Sequence, residues 1–154
     1  MARILVVDDD PGIRELLATV LALAEHQVVG AGCGSEALDR LGVEQFDLVL
    51  LDIWLPDLSG YDLLELLRTK PECTETPVII ISGSSDQEGA LRGARAGVLD
   101  HVPKPFDPDT LLAVVSRALA APSGMRFVRE MRARSADVYS TMLTLCESAR
   151  TTPL

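Results

Sequence analysis

The sequence lacks any long hydrophobic run. None approaches the roughly 18 residues that a membrane-spanning helix needs, and stretches such as Leu48–Leu51 and Val78–Ile81 hold only four strongly apolar residues each. Cysteine is scarce: Cys33, Cys73 and Cys146 are widely spaced and form no CxxC pair. That pattern excludes a disulfide framework and a thiolate metal site, and it fits a reducing cytosol. Basic charge is also in short supply. Residues 1–121 carry 9 Lys/Arg against 20 Asp/Glu, a net −11, while residues 122–154 carry 5 Arg against 3 acids, a net +2. An acidic main body is not expected to bind nucleic acid or an anionic membrane by charge. Met1-Ala2-Arg3-Ile4 runs straight into a strand pattern, so no signal peptide is expected and the location is read as cytoplasmic.

What is present is an alternation of apolar runs with helical patterns, in a chain that is 47% hydrophobic. Strands are expected at 3–7, 27–31, 47–51, 77–81 and 99–102. Between them, helical spacing appears at 13–23, 35–41, 61–67, 86–96 and 107–120. Asp107 is the expected N-cap of the last of these, with Pro108 at its first position. Gly89 and Gly93 weaken the 86–96 helix by about 1 kcal/mol each relative to Ala. Five β–α repeats in about 120 residues predict an α/β, doubly wound, five-stranded parallel sheet with helices on both faces. In such sheets ligands bind outside the carboxyl ends of the strands.

Those ends bear an informative set of residues. Strand one runs into Asp8-Asp9-Asp10, strand three into Asp52, strand four into Ser82-Gly83, and strand five into Lys104 between two prolines. Clustered carboxylates repel one another and raise each other's pKa unless a cation sits among them. A hard, oxygen-seeking ion such as Mg²⁺ relieves this. A carboxylate beside that ion can attack a phosphoryl group and become an acyl phosphate. Lys104, the Ser82 hydroxyl and backbone N–H groups can then stabilise the transferring oxygens. Taken singly, each has a blander reading: a strand-to-helix turn with an N-cap for the Asp8-Asp9-Asp10 run, a loop cap for Asp52, a turn for Ser82-Gly83, a solvated lysine for Lys104. Their joint placement at strand ends is what caps and turns do not explain.

Four stretches carry a family resemblance: Ile4-Leu5-Val6-Val7-Asp8-Asp9-Asp10, Asp52-Ile53-Trp54-Leu55-Pro56-Asp57-Leu58-Ser59-Gly60, Pro77-Val78-Ile79-Ile80-Ile81-Ser82-Gly83 and Val102-Pro103-Lys104-Pro105-Phe106. The chain resembles the response-regulator receiver domains of two-component signalling, over residues 3 to about 120. The resemblance implies a flavodoxin-like sheet of order 2-1-3-4-5. It implies that Asp52 is phosphorylated from a histidine kinase or a histidine phosphotransfer protein. It implies Mg²⁺ (or Mn²⁺) held by Asp9, Asp52 and the backbone carbonyl of Trp54, with Asp8 acting through a water. Ser82 would close on the phosphoryl group, Lys104 would be its counter-ion, and Lys104–Pro105 would be cis. His101 stands where the family usually has Tyr or Phe, so the inward-turning switch ring would here be a smaller one. Trp54 and Ser84, each two residues beyond a site residue, would flank the phosphoryl group, with Trp54 shielding it from water.

The receiver reading places one domain at 1–121 and a linker plus amphipathic helix at 122–154. Val128, Met131, Ser135, Val138, Met142, Leu145 and Ala149 recur at heptad spacing, which makes residues 125–150 a candidate homodimerisation or signalling helix. The tail is too short for a DNA-binding output domain, and the Arg126, Arg129, Arg132 and Arg134 run is weak evidence for nucleic acid. The expected output is contact with a downstream protein through the face of the 86–96 helix, the last strand and the 107–120 helix. Alternatives are a receiver cut from a longer regulator, a phosphorylation-independent dimerisation module, and a metal-dependent phosphatase with an aspartyl-phosphate intermediate. Haloacid-dehalogenase-like phosphatases need a second Asp two residues after the nucleophile, and that position is Trp54. The chain is not read as a turnover enzyme.

Overall fold

The computed structural model describes residues 1–83 and 97–120. The expected 86–96 helix, Ser84 and the 122–154 tail lie outside the described residues. Five strands form one parallel sheet in the order β2-β1-β3-β4-β5. They are β1 (Arg3–Val7), β2 (Gln27–Ala31), β3 (Leu48–Leu51), β4 (Val78–Ser82) and β5 (Val98–Pro103). The helices are α1 (Pro11–Leu23), α2 (Gly34–Val43), α3 (Gly60–Thr69) and α4 (Pro108–Ala120), and a short 3-10 turn at Pro71–Cys73 precedes β4. Ends differ from expectation by one or two residues. The consequential difference is at β4, which takes in Ser82.

Strand side chains alternate between the two faces of a sheet, and that period divides the core in two. Ile4, Val6, Leu48, Leu50, Ile79 and Ile81 pack with Leu17 and Leu21 of α1 and Leu111 and Val115 of α4. Leu5, Val7, Val49 and Leu51 pack on the other face with Ala37 and Leu41 of α2 and Leu63, Leu64 and Leu67 of α3. Each fully buried Leu, Ile or Val contributes about 1.5–3 kcal/mol, and residues 4–7, 48–51 and 78–81 of the central strands are all apolar because water reaches neither side.

Local chemistry sets the helix ends. Asp10 caps α1 by accepting from the Gly12 N–H at 2.8 Å, with Pro11 at the first helical position. Helix α1 ends with Glu25 at φ 66°, while the His26 N–H reaches back to the Leu21 carbonyl and the Glu25 N–H to that of Ala22. This closure usually uses glycine at the left-handed position. The Asp107 carboxylate accepts from the Thr110 N–H, so α4 has the expected cap. The buried Arg68 guanidinium donates to the carbonyls of Cys73, Thr76 and Gly97, tying α3 to the turns before β4 and β5. No helix among the described residues is long and apolar enough to cross a membrane.

Candidate functional site

Parallel register aligns the strand ends. Val7 pairs with Leu51, so Asp8 and Asp52 emerge side by side, and the Asp52 N–H donates to the Val7 carbonyl at 2.9 Å. One strand further, Ser82 pairs with Pro103, and the Lys104 N–H donates to the Ser82 carbonyl. The Lys104–Pro105 bond is cis, as expected. From there the lysine side chain reaches back across the sheet edge. Its Nζ donates to Asp8 Oδ2 at 2.6 Å and to Asp52 Oδ2 at 3.2 Å. Asp8, Asp52 and Ser82 are buried, whereas Asp9 is exposed.

Charge is distributed unevenly in this cluster. Burial pushes the Asp52 carboxyl above its ordinary range, and the neighbouring Asp8 charge adds to that; the Trp54 N–H, at 3.2 Å from Asp52 Oδ1, and the Lys104 ammonium oppose it. Burial alone would lower Lys104. The hydrogen bond to Asp8 and the charges of Asp52 and Asp8 outweigh it and hold the ammonium above its usual pKa. At Asp52 the expected repulsion from a neighbouring carboxylate is present, but desolvation is the larger cause.

One oxygen each from Asp8, Asp9 and Asp52 lie within 4.8 Å of one another. An all-oxygen, anionic donor set of this size fits Mg²⁺, which takes one or two carboxylates and keeps several waters. Asp10 is not part of it: its side chain caps α1 and its N–H donates to Asp8 Oδ1 at 2.9 Å. The cap reading of the acidic run is therefore right for Asp10 and wrong for its two predecessors. A cleft of about 1090 Å³, lined by His26, Phe46, Cys73 and Pro77 among others, lies away from these carboxylates at the amino ends of the strands.

The sequence and the fold have known counterparts. Residues 4–116 match the response regulator receiver domain family. The chain belongs to that family. Among curated proteins, the regulatory protein AtoC of Escherichia coli is 36% identical over 129 residues, covering 84% of this chain and 28% of AtoC. The transcriptional regulatory protein GltR of Pseudomonas aeruginosa is 38% identical over 116 residues, 75% of this chain and 48% of GltR. The receiver thus spans less than half the length of these relatives. Among solved structures, the receiver domain of NtrX from Brucella abortus superposes with a TM-score of 0.71 at 38% identity, covering 77% of this chain and 99% of that one. The chemotaxis regulator CheY4 of Vibrio cholerae gives 0.73 at 30% identity, with 76% and 98% covered.

Other residues of the receiver shape the site without having been singled out from the sequence. Arg14 Nη1 donates to the Asp8 carbonyl at 2.6 Å, propping the turn after β1; an arginine in a first helical turn carries no signal of this. Gly60 sits so close to β3 that a Cβ there would lie 2.4 Å from the Asp52 carbonyl oxygen and 2.7 Å from Ile53 Cα. Its place eight residues after Asp52, at a helix start, was the available clue. Trp54 is 64% exposed beside Asp52. His101 is exposed on β5, with its N–H bonded to Asp100 Oδ1.

Proposed function

We propose that this receiver takes a phosphoryl group from the phosphohistidine of a histidine kinase, or of a histidine phosphotransfer protein, onto Asp52. The observation that supports this most is the Lys104 ammonium shared between the buried Asp8 and Asp52 carboxylates. Lys104 and the Trp54 N–H favour the ionised form of Asp52, which is the form that attacks. One Asp52 oxygen forms a bond to phosphorus as the phosphorus–nitrogen bond breaks. The bonding pair returns to the imidazole, which takes up one proton. Mg²⁺ (or Mn²⁺) supplies positive charge to the transferring oxygens when bound. Asp9, Asp52 and the Trp54 carbonyl would hold it, with Asp8 acting through a water. The Ser82 hydroxyl and Lys104 would then bond phosphoryl oxygens, and His101 would turn inward behind Ser82. The chain is proposed to act in the cytoplasm and to signal by protein–protein contact rather than by catalysing turnover. A homodimer through residues 125–150 is a further proposal on the tail.

A second reading keeps the chemistry and makes this receiver the input part of a longer regulator. The length of AtoC and GltR relative to the matched region supports it, and the full open reading frame decides it. The test of the chemistry is intact mass after incubation with acetyl phosphate and Mg²⁺. The wild-type chain is expected to gain the mass of one phosphoryl group and Asp52→Asn to gain none. Full labelling of Asp52→Asn overturns the assignment.

A further inference from the structure

The segment from Asp52 to Gly60 carries both the proposed phosphoacceptor and the proposed carbonyl ligand, Trp54. It is closed on itself in two ways: Trp54 bridges Ser59, and the Gly60 N–H donates to the Ile53 carbonyl at 2.7 Å. Neither contact fixes where the tip of the loop sits against the rest of the domain. Leu55 and Leu58 pack against the core on the α2/α3 face, and the directional, hydrogen-bonded tie is made by Asp57. One of its carboxylate oxygens accepts from the Gly34 N–H and the other from the Ser35 N–H, both at 2.8 Å. These are the first two N–H groups of α2, which have no partner within their own helix. Cys33, the residue at the N-cap position of α2, makes no side-chain cap bond. The cap is supplied instead from 23 residues away in sequence. The two N–H donors hold the Asp57 carboxyl below the usual carboxylate range. Leu58 presses on the same spot, since a Cβ on Gly34 would lie 2.3 Å from Leu58 Cδ2.

Asp57 is exposed and does not reach the acidic cluster, yet only Leu55 and Pro56 separate it from Trp54. We propose that Asp57 is a positioning residue. By clamping the loop after β3 to the first turn of α2, it fixes the Trp54 backbone, and so sets the affinity of the site for Mg²⁺. This rests on the reading of Asp52 as an Mg²⁺-dependent phosphoacceptor. A residue that only capped α2 would affect folding; a positioning residue affects the metal requirement of protein that is already folded.

The experiment measures the initial rate of labelling by acetyl phosphate against Mg²⁺ concentration, by intact mass, for the wild-type chain, Asp57→Ala and Asp57→Asn. Thermal melts without Mg²⁺ are run in parallel, and rates are taken well below each melting transition. The half-saturating Mg²⁺ concentration is expected to rise about tenfold in Asp57→Ala, the lower end of the range for groups that support metal ligands. The rate at saturating Mg²⁺ is retained. Asp57→Asn keeps one acceptor oxygen and falls between the two; it also carries the test should the Ala variant not fold. Half-saturation unchanged from wild type in the folded variants, even with a lowered melting temperature, reduces Asp57 to a helix cap and overturns the proposal. A wild-type chain that takes no label at any Mg²⁺ concentration overturns the phosphoacceptor reading itself, and this one with it.

Discussion

Replacing Lys104 by Met removes the cation that Asp8 and Asp52 share while keeping the volume of its aliphatic stem. Asp8 is 2% exposed and Asp52 6%, so the two carboxylates are left nearly buried without their partner. Removing one member of a buried ion pair costs about 3–5 kcal/mol. The Lys104 side chain keeps 22% of its exposure, and water screens the pair in proportion, so about 2 kcal/mol is expected here. At a urea dependence of about 2 kcal/mol per molar, the unfolding midpoint falls by about 1 M in Mg²⁺-free buffer at neutral pH. The pH dependence has a definite sign. Asp52 already has a folded-state pKa raised by burial and by Asp8, and loss of Lys104 takes away a lowering influence. A carboxyl whose folded pKa exceeds its unfolded one binds its proton more tightly in the folded state. Protonation therefore favours folding, and stability is gained as pH falls through the folded pKa. The gap between Lys104→Met and wild type is thus widest at neutral pH and narrows on acidification. Added Mg²⁺ narrows it too, since an ion that binds only the folded state stabilises that state. A gap below about 0.5 kcal/mol at neutral pH, the range of ordinary surface substitutions, or one that does not change with pH, refutes the reasoning.

Asp9→Ala is expected to weaken Mg²⁺ binding, read from the fluorescence of Trp54, far more than Asp10→Ala. The latter instead loses the α1 cap and about 1 kcal/mol of stability, visible in urea melts. Gly60→Ala forces a methyl against the backbone of Asp52 and Ile53; a loss of about 1–3 kcal/mol and slower labelling by acetyl phosphate are expected. Lys104→Ala is expected to take label while losing phosphorylation-dependent partner binding, checked by pull-down with and without acetyl phosphate. Trimming the chain after Ala121 is expected to leave labelling intact and, by light scattering, to give a monomer.

Sequence alone determined the sheet and its acidic edge. Continuous apolar runs marked Leu48–Leu51 and Val78–Ile81 as strands buried on both faces, because a strand with one face in water alternates apolar with polar residues. The β–α alternation made the sheet parallel, and a parallel sheet gathers its strand ends at one edge, so Asp8, Asp9, Asp52, Ser82 and Lys104 could be grouped before any coordinates. The tertiary structure decided which groups pair. That Asp10 turns back to cap α1 while Asp8 faces Lys104 depends on backbone direction at the end of β1, which three identical residues in a row do not encode. That Lys104 bonds both Asp8 and Asp52 depends on the register of four strands at once. The reach of Asp57 to Gly34 and Ser35 joins residues 23 and 22 positions apart. It arises from how the loop after β3 lies over α2, a matter of packing between elements, and neither segment holds any pattern that names the other.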